Sequence, residues 1–298
     1  MSLEKSEKID NRNNIFPVME EKEISLLFVG DLMFDRYIRQ VAEKKGNEYI
    51  FSEVKDILSK EDLVIANLEG PITEFPSKSV NTVPGQGGHL VFTLDKSLAS
   101  TLKNNNIKLV NLGNNHIGNF GGEGIRQTKN FLDEAGVSYF GYTGDDSENN
   151  YTILNLGGAR VGFVNYNQFV SGSSENAKKD ILEIRDKVDF LVLYTHWDAE
   201  YKAEPKESTK KLAREFIDSG VDLLIGTHPH VIQSKEEYKN KMIYYSLGDF
   251  VFDQYFSPET KRGLGVRVKL FEKGQRVEFE EINFSLRTNG QTVRDDEK

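Results

Sequence analysis

Two histidines separated by one residue, His228 and His230, are the strongest chemical signal in the sequence. They follow a short apolar run, residues 221–225, which is typical of a strand buried on both faces. Pro229 predicts extended backbone at His228, and residues i and i+2 of extended backbone point the same way. Both imidazoles are therefore expected to face one point and to bind a transition metal there. A structural role for either histidine is the alternative.

Four other strand-like runs also end in polar side chains. The clusters are Asp31; Asn67 with Glu69; Asn115 with His116; and His196. Each has an ordinary alternative explanation, such as a turn, a helix cap or a core hydrogen bond. Their shared position favours a site, because binding sites in open α/β sheets form beyond the carboxyl ends of the strands. The fifth histidine, His89, lies in a long loop and is expected to be solvated.

The runs that must position these residues alternate with helical segments. Apolar periodicity predicts strands at 24–29, 63–66, 107–112, 190–194 and 221–225. It predicts helices at 37–45, 51–58, 98–104, 121–135, 177–187 and 208–219, the fourth ended by a glycine at 136. Hairpin turns are expected at 157–158 and 239–240, and edge strands at 265–270 and 276–279.

This order predicts one domain of βα units with added hairpins over residues 24–285. Residues 1–23 form a polar tail that is expected to be disordered, and residues 286–298 form a second polar tail. The loop from about 73 to 89 is long for a compact domain, so it is expected to face a substrate or to be mobile.

The composition excludes several classes of protein and of site. The 298 residues include 38 Lys and Arg against 47 Asp and Glu, a net charge of -9, which argues against nucleic acid as a partner. A hydrophobic content of 38% is enough for a sizeable core. Because the chain has no cysteine, any metal must be held by histidine, carboxylate and amide groups.

The sequence contains neither a signal-peptide core nor an apolar run near the roughly 20 residues that span a bilayer. An export signal or anchoring segment would therefore have to lie outside the sequence given.

The ordered motifs resemble those of the bacterial capsule-synthesis CapA/PgsA proteins. The order is Gly-Asp, Asn-x-Glu, Asn-Asn-His, His-Trp, His-Pro-His and Ser-Leu-Gly-x-Phe, running from Ile24 to Phe252. That family is associated with poly-γ-glutamate capsules and is related to the calcineurin-like metallophosphoesterases. The resemblance implies a metallophosphatase-like αββα sandwich with a two-metal cleft at the strand ends.

The resemblance also implies roles for the clustered residues. One metal would be held by Asp31, Glu69 and His230, and the other by Glu69, Asn115, His196 and His228. His116 would be the general acid. Independently of the resemblance, Arg36 is a candidate for binding an anionic group, and Asn67 and Asn114 are further candidate substrate-binding residues. Mixed nitrogen and oxygen ligands suit one or two Mn, Fe, Co or Zn ions.

The sequence departs from the related families at several positions. Met33 stands where metallophosphoesterases have a histidine, and Glu69 where they have a bridging aspartate, although both features are usual in the capsule family. Asp198, Asn119 and Asp249 replace the more frequent Gly, Asp and Asn of the capsule family.

Two functions are compatible with this pattern. The first is a metal-dependent hydrolase of capsule synthesis or export, acting on a phosphoester or on an amide-type bond of an envelope polymer. The second is a non-catalytic component that keeps the fold and binds the anionic capsular polymer. Membrane-bound capsule synthase components are the expected partners, at the outer face of the envelope or after secretion. A third hypothesis is that the chain is an unrelated α/β binding protein.

Overall fold

The structure is a computed structural model that describes residues 23–141 and 150–295. Most of the predicted N-terminal tail, residues 1–22, therefore lies outside the described residues. The strands, in chain order, are β1 Ile24–Leu32, β2 Leu63–Leu68, β3 Ile107–Asn111, β4 Ser138–Phe140, β5 Tyr151–Leu156, β6 Ala159–Asn167, β7 Phe190–His196, β8 Leu223–Thr227, β9 Lys235–Tyr238, β10 Lys241–Tyr244, β11 Asp249–Val251, β12 Arg262–Phe271, β13 Arg276–Leu286 and β14 Thr292–Arg294.

The helices fall near the predicted positions. They are α1 Arg36–Lys45, α2 Glu48–Phe51, α3 Lys55–Leu58, α4 Ser97–Asn104, α5 Gly121–Ala135, α6 Ser173–Ile184 and α7 Glu207–Asp218. The single helix predicted at 51–58 is wrong, because two short helices, α2 and α3, occupy that region. Gly136 ends α5 with φ 69°, the left-handed conformation in which a glycine C-cap costs least.

The strands form two mixed sheets. The first has the order β14-β13-β12-β1-β2-β3-β4, with β11 also paired to β1. The second has the order β5-β6-β7-β8-β10-β9. In both sheets the strands that precede the polar clusters are parallel neighbours: β1 with β2 and β2 with β3, and β7 with β8. Their carboxyl ends therefore lie at the same edge of each sheet.

Three apolar layers show that the sheets pack face to face with helices outside. One buried cluster lies between the sheets and includes Phe28, Ile65, Phe163 and Tyr194. A second joins the outer face of the first sheet to the helices that precede β4, and a third joins the second sheet to α6 and α7. This confirms the αββα sandwich, and the hairpins β5–β6 and β9–β10 confirm the predicted additions.

Two predictions for the C-terminal region are wrong. The run 265–270 belongs to β12, which lies inside the first sheet between β1 and β13 and is not an edge strand. The polar tail was predicted to start at 286, but β14 pairs with β13, and Thr292 and Val293 are buried. The sheet therefore continues to Arg294.

The end of β1 changes its neighbour, and this change matters for the site. Residues 24–28 of β1 pair with β12, whereas Asp31 and Leu32 pair with the parallel strand β11. A Cβ on Gly30 would lie 1.9 Å from the carbonyl oxygen of Gly248, so only glycine allows this approach. The close contact sets Asp31 beside Asp249 in register.

Candidate metal centre

Two buried carboxylates occupy the carboxyl ends of β1 and β2. Asp31 and Glu69 are fully buried. The side-chain amide of Asn67 lies between them and donates to Asp31 Oδ1 at 2.7 Å and to Glu69 Oε2 at 3.4 Å. Glu69 Oε1, by contrast, has no hydrogen-bond partner among the described residues. A buried carboxylate oxygen without a donor is costly, so Glu69 Oε1 is a candidate ligand for a cation.

The two histidines after β8 converge as predicted, but for a different reason. His228 and His230 have φ 94° and 56°, so the prediction of extended backbone at His228 is wrong. This left-handed backbone is uncommon for residues other than glycine, and such conformations concentrate at functional sites. The His228 N–H donates to Asp31 Oδ2 at 3.1 Å, which holds the turn against β1. The two ring centroids are 5.7 Å apart.

The end of β7 brings His196 to the same point. Its Nδ1 lies 3.1 Å from the hydroxyl oxygen of Thr227, whose own proton goes to the carbonyl of Thr195 at 2.8 Å. The side-chain nitrogen of Asn67 also lies 3.4 Å from His196 Nδ1. His196 Nε2 lies 2.9 Å from Asn115 Oδ1, and the His196 ring is 4.7 Å from that of His228. An imidazole nitrogen and an amide oxygen at this separation fit neighbouring ligands of one cation.

A third carboxylate, Asp249, completes the deep side of the cluster. Asp249 Oδ1 lies 2.9 Å from His230 Nδ1, and Asp31 Oδ2 lies 3.4 Å from the same nitrogen. The other ring nitrogen, His230 Nε2, is 3.6 Å from Glu69 Oε1. In the sequence, Asp249 stands out only as a departure from a motif of the capsule family. An acid inside the buried apolar run 247–252 was the signal for its role.

The burial of these groups shifts the pKa values of the acidic side of the cluster. Burial and the charge of Asp31 raise the pKa of Glu69 well above its ordinary value. Burial raises the pKa of Asp249 to about 7. Burial opposes the charged form of His230, but the facing carboxylates of Glu69 and Asp249 outweigh it and raise its pKa well above the ordinary value. Without a cation, the cluster therefore retains protons at neutral pH.

The other imidazoles are neutral. Burial, reinforced by the neighbouring histidines, lowers the pKa of His196 well below its ordinary value. The same causes lower the pKa of His228 to about 3. A neutral imidazole keeps a lone pair, and His228 Nδ1 is buried without a hydrogen-bond partner among the described residues. Both histidines are therefore in the protonation state that a metal requires.

Three overlapping groups of ligand atoms could hold a metal, each with its atoms within 4.8 Å of one another. The groups are Asp31, His230 and Asp249; Asp31, Glu69 and His196; and Glu200, His228 and His230. Within the described part of the chain, three of their members carry buried atoms without hydrogen-bond partners: Glu69 Oε1, His228 Nδ1 and Asp249 Oδ2. The residues therefore fit one or two divalent cations. Glu200, an exposed residue of the third group, was not predicted as a ligand from the sequence, although it follows β7 closely.

His116 lies beside the cluster with a defined orientation. Asn119 Oδ1 accepts the Phe92 N–H at 2.7 Å and lies 3.2 Å from His116 Nδ1, so that nitrogen is the donor. The Nε2 lone pair then faces Glu69 Oε1 at 3.8 Å. Burial lowers the pKa of His116 to about 4, so the ring is neutral and must take up a proton before it can give one. The predicted acid role of His116 stays a prediction.

The candidate substrate-binding residues are placed differently from one another. Asn67 and Asn114 are buried, and Asn114 Nδ2 donates to Asn67 Oδ1 at 3.2 Å and to the Leu68 carbonyl at 2.8 Å. Asn114 Oδ1 accepts the backbone N–H groups of His116 and Ile117. Internal hydrogen bonds thus occupy both amides, and the amide of Asn67 holds the candidate ligand residue Asp31 in place. Substrate contact through them is an untested prediction.

Arg36 lies outside the cluster, one layer of aromatic rings away. It forms an ion pair with Asp253 and lies 3.2 Å from His89 Nε2, so His89 is half-buried and partnered rather than simply solvated. The guanidinium of Arg36 lies 5.2 Å from the centroid of the Phe92 ring and 5.3 Å from that of the Phe252 ring. Those rings pack in turn on His116 and His230.

Met33 does not offer its sulfur to the cluster. The thioether accepts the Asp35 N–H at 3.0 Å, and the side chain packs with Phe92, Phe252 and Leu286. Met33, two residues after Asp31, therefore belongs to the apolar layer that supports the imidazoles of His116 and His230.

Known proteins are similar to this chain over most of its length. The family described as "Bacterial capsule synthesis protein PGA_cap" matches residues 25–254. The chain is 29% identical to the capsule biosynthesis protein CapA of Bacillus anthracis, over 87% of this chain and 66% of that protein. It is 32% identical to the PGA biosynthesis protein CapA of Bacillus subtilis strain 168, over 78% of this chain and 64% of that protein.

The chain thus spans just under two thirds of the length of these relatives. A solved structure, TT1561 of Thermus thermophilus, matches with a TM-score of 0.48 and 11% identity, over 87% of this chain and 99% of that one. The family match covers every predicted metal-ligand position. The chain belongs to the bacterial capsule synthesis protein family PGA_cap.

Proposed function

We propose that this chain is a metal-dependent hydrolase of capsule biosynthesis, with the anionic poly-γ-glutamate polymer or a phosphoester as its substrate. The observation that carries the proposal is the set of buried ligand atoms on Glu69, His228 and Asp249 that have no partner among the described residues. Such a cluster is stable with ionised carboxylates only if positive charge enters it. The two relatives named for capsule or PGA biosynthesis favour the polymer as substrate.

The chemistry of the proposal divides between the cation and the side chains. A bound divalent cation of this ligand class lowers the pKa of water and neutralises developing negative charge. His116 lies at the edge of the cluster with its Nε2 lone pair facing inward, where it can accept a proton from an attacking water and return it to a leaving oxygen or nitrogen. Asn119 fixes the ring for both steps by accepting from Nδ1.

A groove beside the cluster gives a polymer room to lie. Its volume is about 770 Å³, and its lining includes Arg36, His89, Tyr201 and Phe256. Tyr201 also packs 6.1 Å from the His230 ring, so the groove reaches the cluster. The exposed aromatic side chains Tyr201 and Phe256, the latter 66% exposed, suit the methylene groups of a chain whose charges face solvent.

A non-catalytic polymer-binding component is the second candidate. The ion pair of Arg36 with Asp253 and the nearby Glu200 leave little free positive charge in the groove. Binding of an acidic polymer would then depend on the cation, whether or not a bond is broken. Turnover separates the two candidates, because only the hydrolase shortens the polymer or releases phosphate.

The test begins with elemental analysis of protein purified without added metal or nickel. We expect at least one equivalent of a divalent transition metal, and we expect His228→Ala to lose most of it. The control is His89→Ala, which changes a histidine outside the cluster and should keep the metal. Protein that resists loading with Mn, Fe, Co and Zn would refute the metal centre.

Loaded protein is then incubated with poly-γ-glutamate, a phosphodiester and a phosphomonoester. Shortening of the polymer or release of phosphate supports the hydrolase. Metal-dependent retention of the polymer without any turnover supports the binding component instead.

Location and protein partners remain predictions. Within residues 23–141 and 150–295, the helices are too short and too polar to cross a bilayer. We propose the outer face of the envelope as the site of action, with membrane-bound capsule synthase components as partners, because a relative is named for capsule biosynthesis and a capsule lies outside the cell membrane.

A further inference from the structure

The pairing of β11 with the end of β1 fixes the position of Asp249 beside Asp31. β11 takes the place of β12 beside the end of β1, and the parallel register sets Asp249 opposite Asp31. The strands touch closely at this point, since the Asp31 N–H donates to the Gly248 carbonyl at 3.1 Å. Asp249 is fully buried, so its carboxylate cannot relax into solvent. Its position relative to the neighbouring groups is therefore fixed by the sheet.

Asp249 acts on the ring of His230. Asp249 Oδ1 lies 2.9 Å from His230 Nδ1, a hydrogen-bond distance, and the ionised carboxylate that a neighbouring cation favours can only accept. His230 Nδ1 therefore carries the proton. In a neutral ring the lone pair is then on Nε2, which faces Glu69 Oε1 at 3.6 Å. The separation of these two atoms fits two ligands that share one cation.

We propose that Asp249 is a positioning residue of the metal centre, which fixes His230 in the Nδ1–H tautomer and directs Nε2 to a cation shared with Glu69. The inference rests on the metal centre proposed above. A carboxylate behind a histidine ligand fixes the ring and makes the free nitrogen more basic. Phe252, whose ring centroid is 4.8 Å from that of His230, restricts the ring from the side.

Two other arrangements would use the same residues differently. In the first, Asp249 is itself a ligand, and His230 binds the cation through Nδ1. In the second, a doubly protonated His230 forms a structural ion pair with Asp249 and no cation enters. The state of the two ring nitrogens in metal-loaded protein distinguishes all three arrangements.

The first experiment uses the whole chain, stripped with a chelator and reloaded with Zn²⁺ alone. Two-bond ¹H–¹⁵N correlation spectra of protein labelled in its histidine rings report which nitrogen is protonated and which binds zinc. Signals of His230 are identified by their loss in His230→Gln. We expect a protonated Nδ1 and a zinc-bound Nε2. Zinc on Nδ1, or a doubly protonated His230 in the loaded protein, would overturn the proposal.

The second experiment compares zinc affinities by competition with a chromophoric chelator. Asp249→Leu removes the acceptor while keeping the branched shape of the side chain and should weaken one equivalent of zinc by roughly 10–100-fold. Asp249→Asn keeps an oxygen acceptor and should lose less than about tenfold by the same reasoning. The control is Asp180→Asn, a buried acid on α6 far from the cluster, which should bind as the wild type does.

The outcomes separate the two proposals. A wild type that takes up no zinc overturns both the metal centre and the role of Asp249. A wild type that binds while Asp249→Leu binds equally tightly overturns only the role of Asp249. Equal losses in Asp249→Leu and Asp249→Asn would also overturn it, because the negative charge and not the acceptor would then matter. The spectra of the wild type decide the question even if a variant fails to fold.

Discussion

Replacing Asp249 by asparagine should stabilise the protein when metal is absent. Burial raises the pKa of the Asp249 carboxyl from 3.8 to about 7. Because the folded-state pKa is raised, the Asp249 carboxyl makes its full contribution to the free energy of unfolding below pH 3.8. That contribution is lost as the pH rises from there through about 7. Asparagine has no ionisable group, so the variant keeps its free energy of unfolding over the pH range in which the wild type loses it.

The magnitude follows from the shift. One pKa unit corresponds to about 1.4 kcal/mol, so at pH 8 Asp249→Asn should exceed the wild type in free energy of unfolding by at most about 4 kcal/mol. Between pH 5 and pH 8 the advantage should grow by roughly 3 kcal/mol by the same relation. The ion pair with His230 offsets part of it, because Asp249 also raises the pKa of that histidine.

The assay is urea unfolding of both proteins in chelator at several pH values. The difference between the two proteins is the useful quantity, because the neutral histidines His116, His196 and His228 titrate in both and their effects largely cancel. A variant that is no more stable than the wild type at pH 8 would refute the reasoning. It would show that the buried carboxylate is already compensated by groups within the protein.

Two further predictions concern catalysis and the strand contact. His116→Ala should keep the bound metal and lose roughly 10²–10⁴-fold in rate on a substrate with a poor leaving group, and much less on a nitrophenyl ester; metal loss measured by elemental analysis would make His116 a ligand instead. Gly30→Ala should cost about 1–3 kcal/mol or more in urea unfolding, because its Cβ would meet the Gly248 carbonyl at 1.9 Å. Gly122→Ala, on an open face of α5, should cost nothing.

The sequence was sufficient to predict which strand ends meet, because apolar runs followed by polar residues have a simple geometric consequence in parallel sheets. It could not predict the neighbours of each strand. The run 265–270 alternates like an edge strand, yet β12 is flanked by β1 and β13, whose pairing depends on contacts distant in sequence. The same kind of contact brings β11 to the end of β1, which is why the part played by Asp249 was missed.

Local rules also failed where tertiary contacts outweighed them. Proline disfavours helical backbone in the preceding residue, and this predicted an extended His228. The structure holds His228 at φ 94° instead, with its N–H bonded to the Asp31 carboxylate. A hydrogen bond to a charged group is worth about 1.5–3 kcal/mol, which is comparable to the cost of an unusual backbone conformation. The convergence of the histidines was therefore predicted correctly from a wrong local conformation.

Two glycines that lie shortly before candidate ligand residues explain how the sandwich assembles such a cluster. Gly30 precedes Asp31, and Gly226 precedes His228 by two residues; a Cβ at Gly226 would lie 2.0 Å from the Tyr245 carbonyl oxygen. Each glycine lets a strand or loop from the C-terminal part of the chain approach a parallel strand at its polar end. Such an approach carries acids and imidazoles into a buried space, where solvent screens their charges only weakly. The described side chains compensate the negative charge of these buried acids only in part. A bound cation is the simplest group that would compensate the rest.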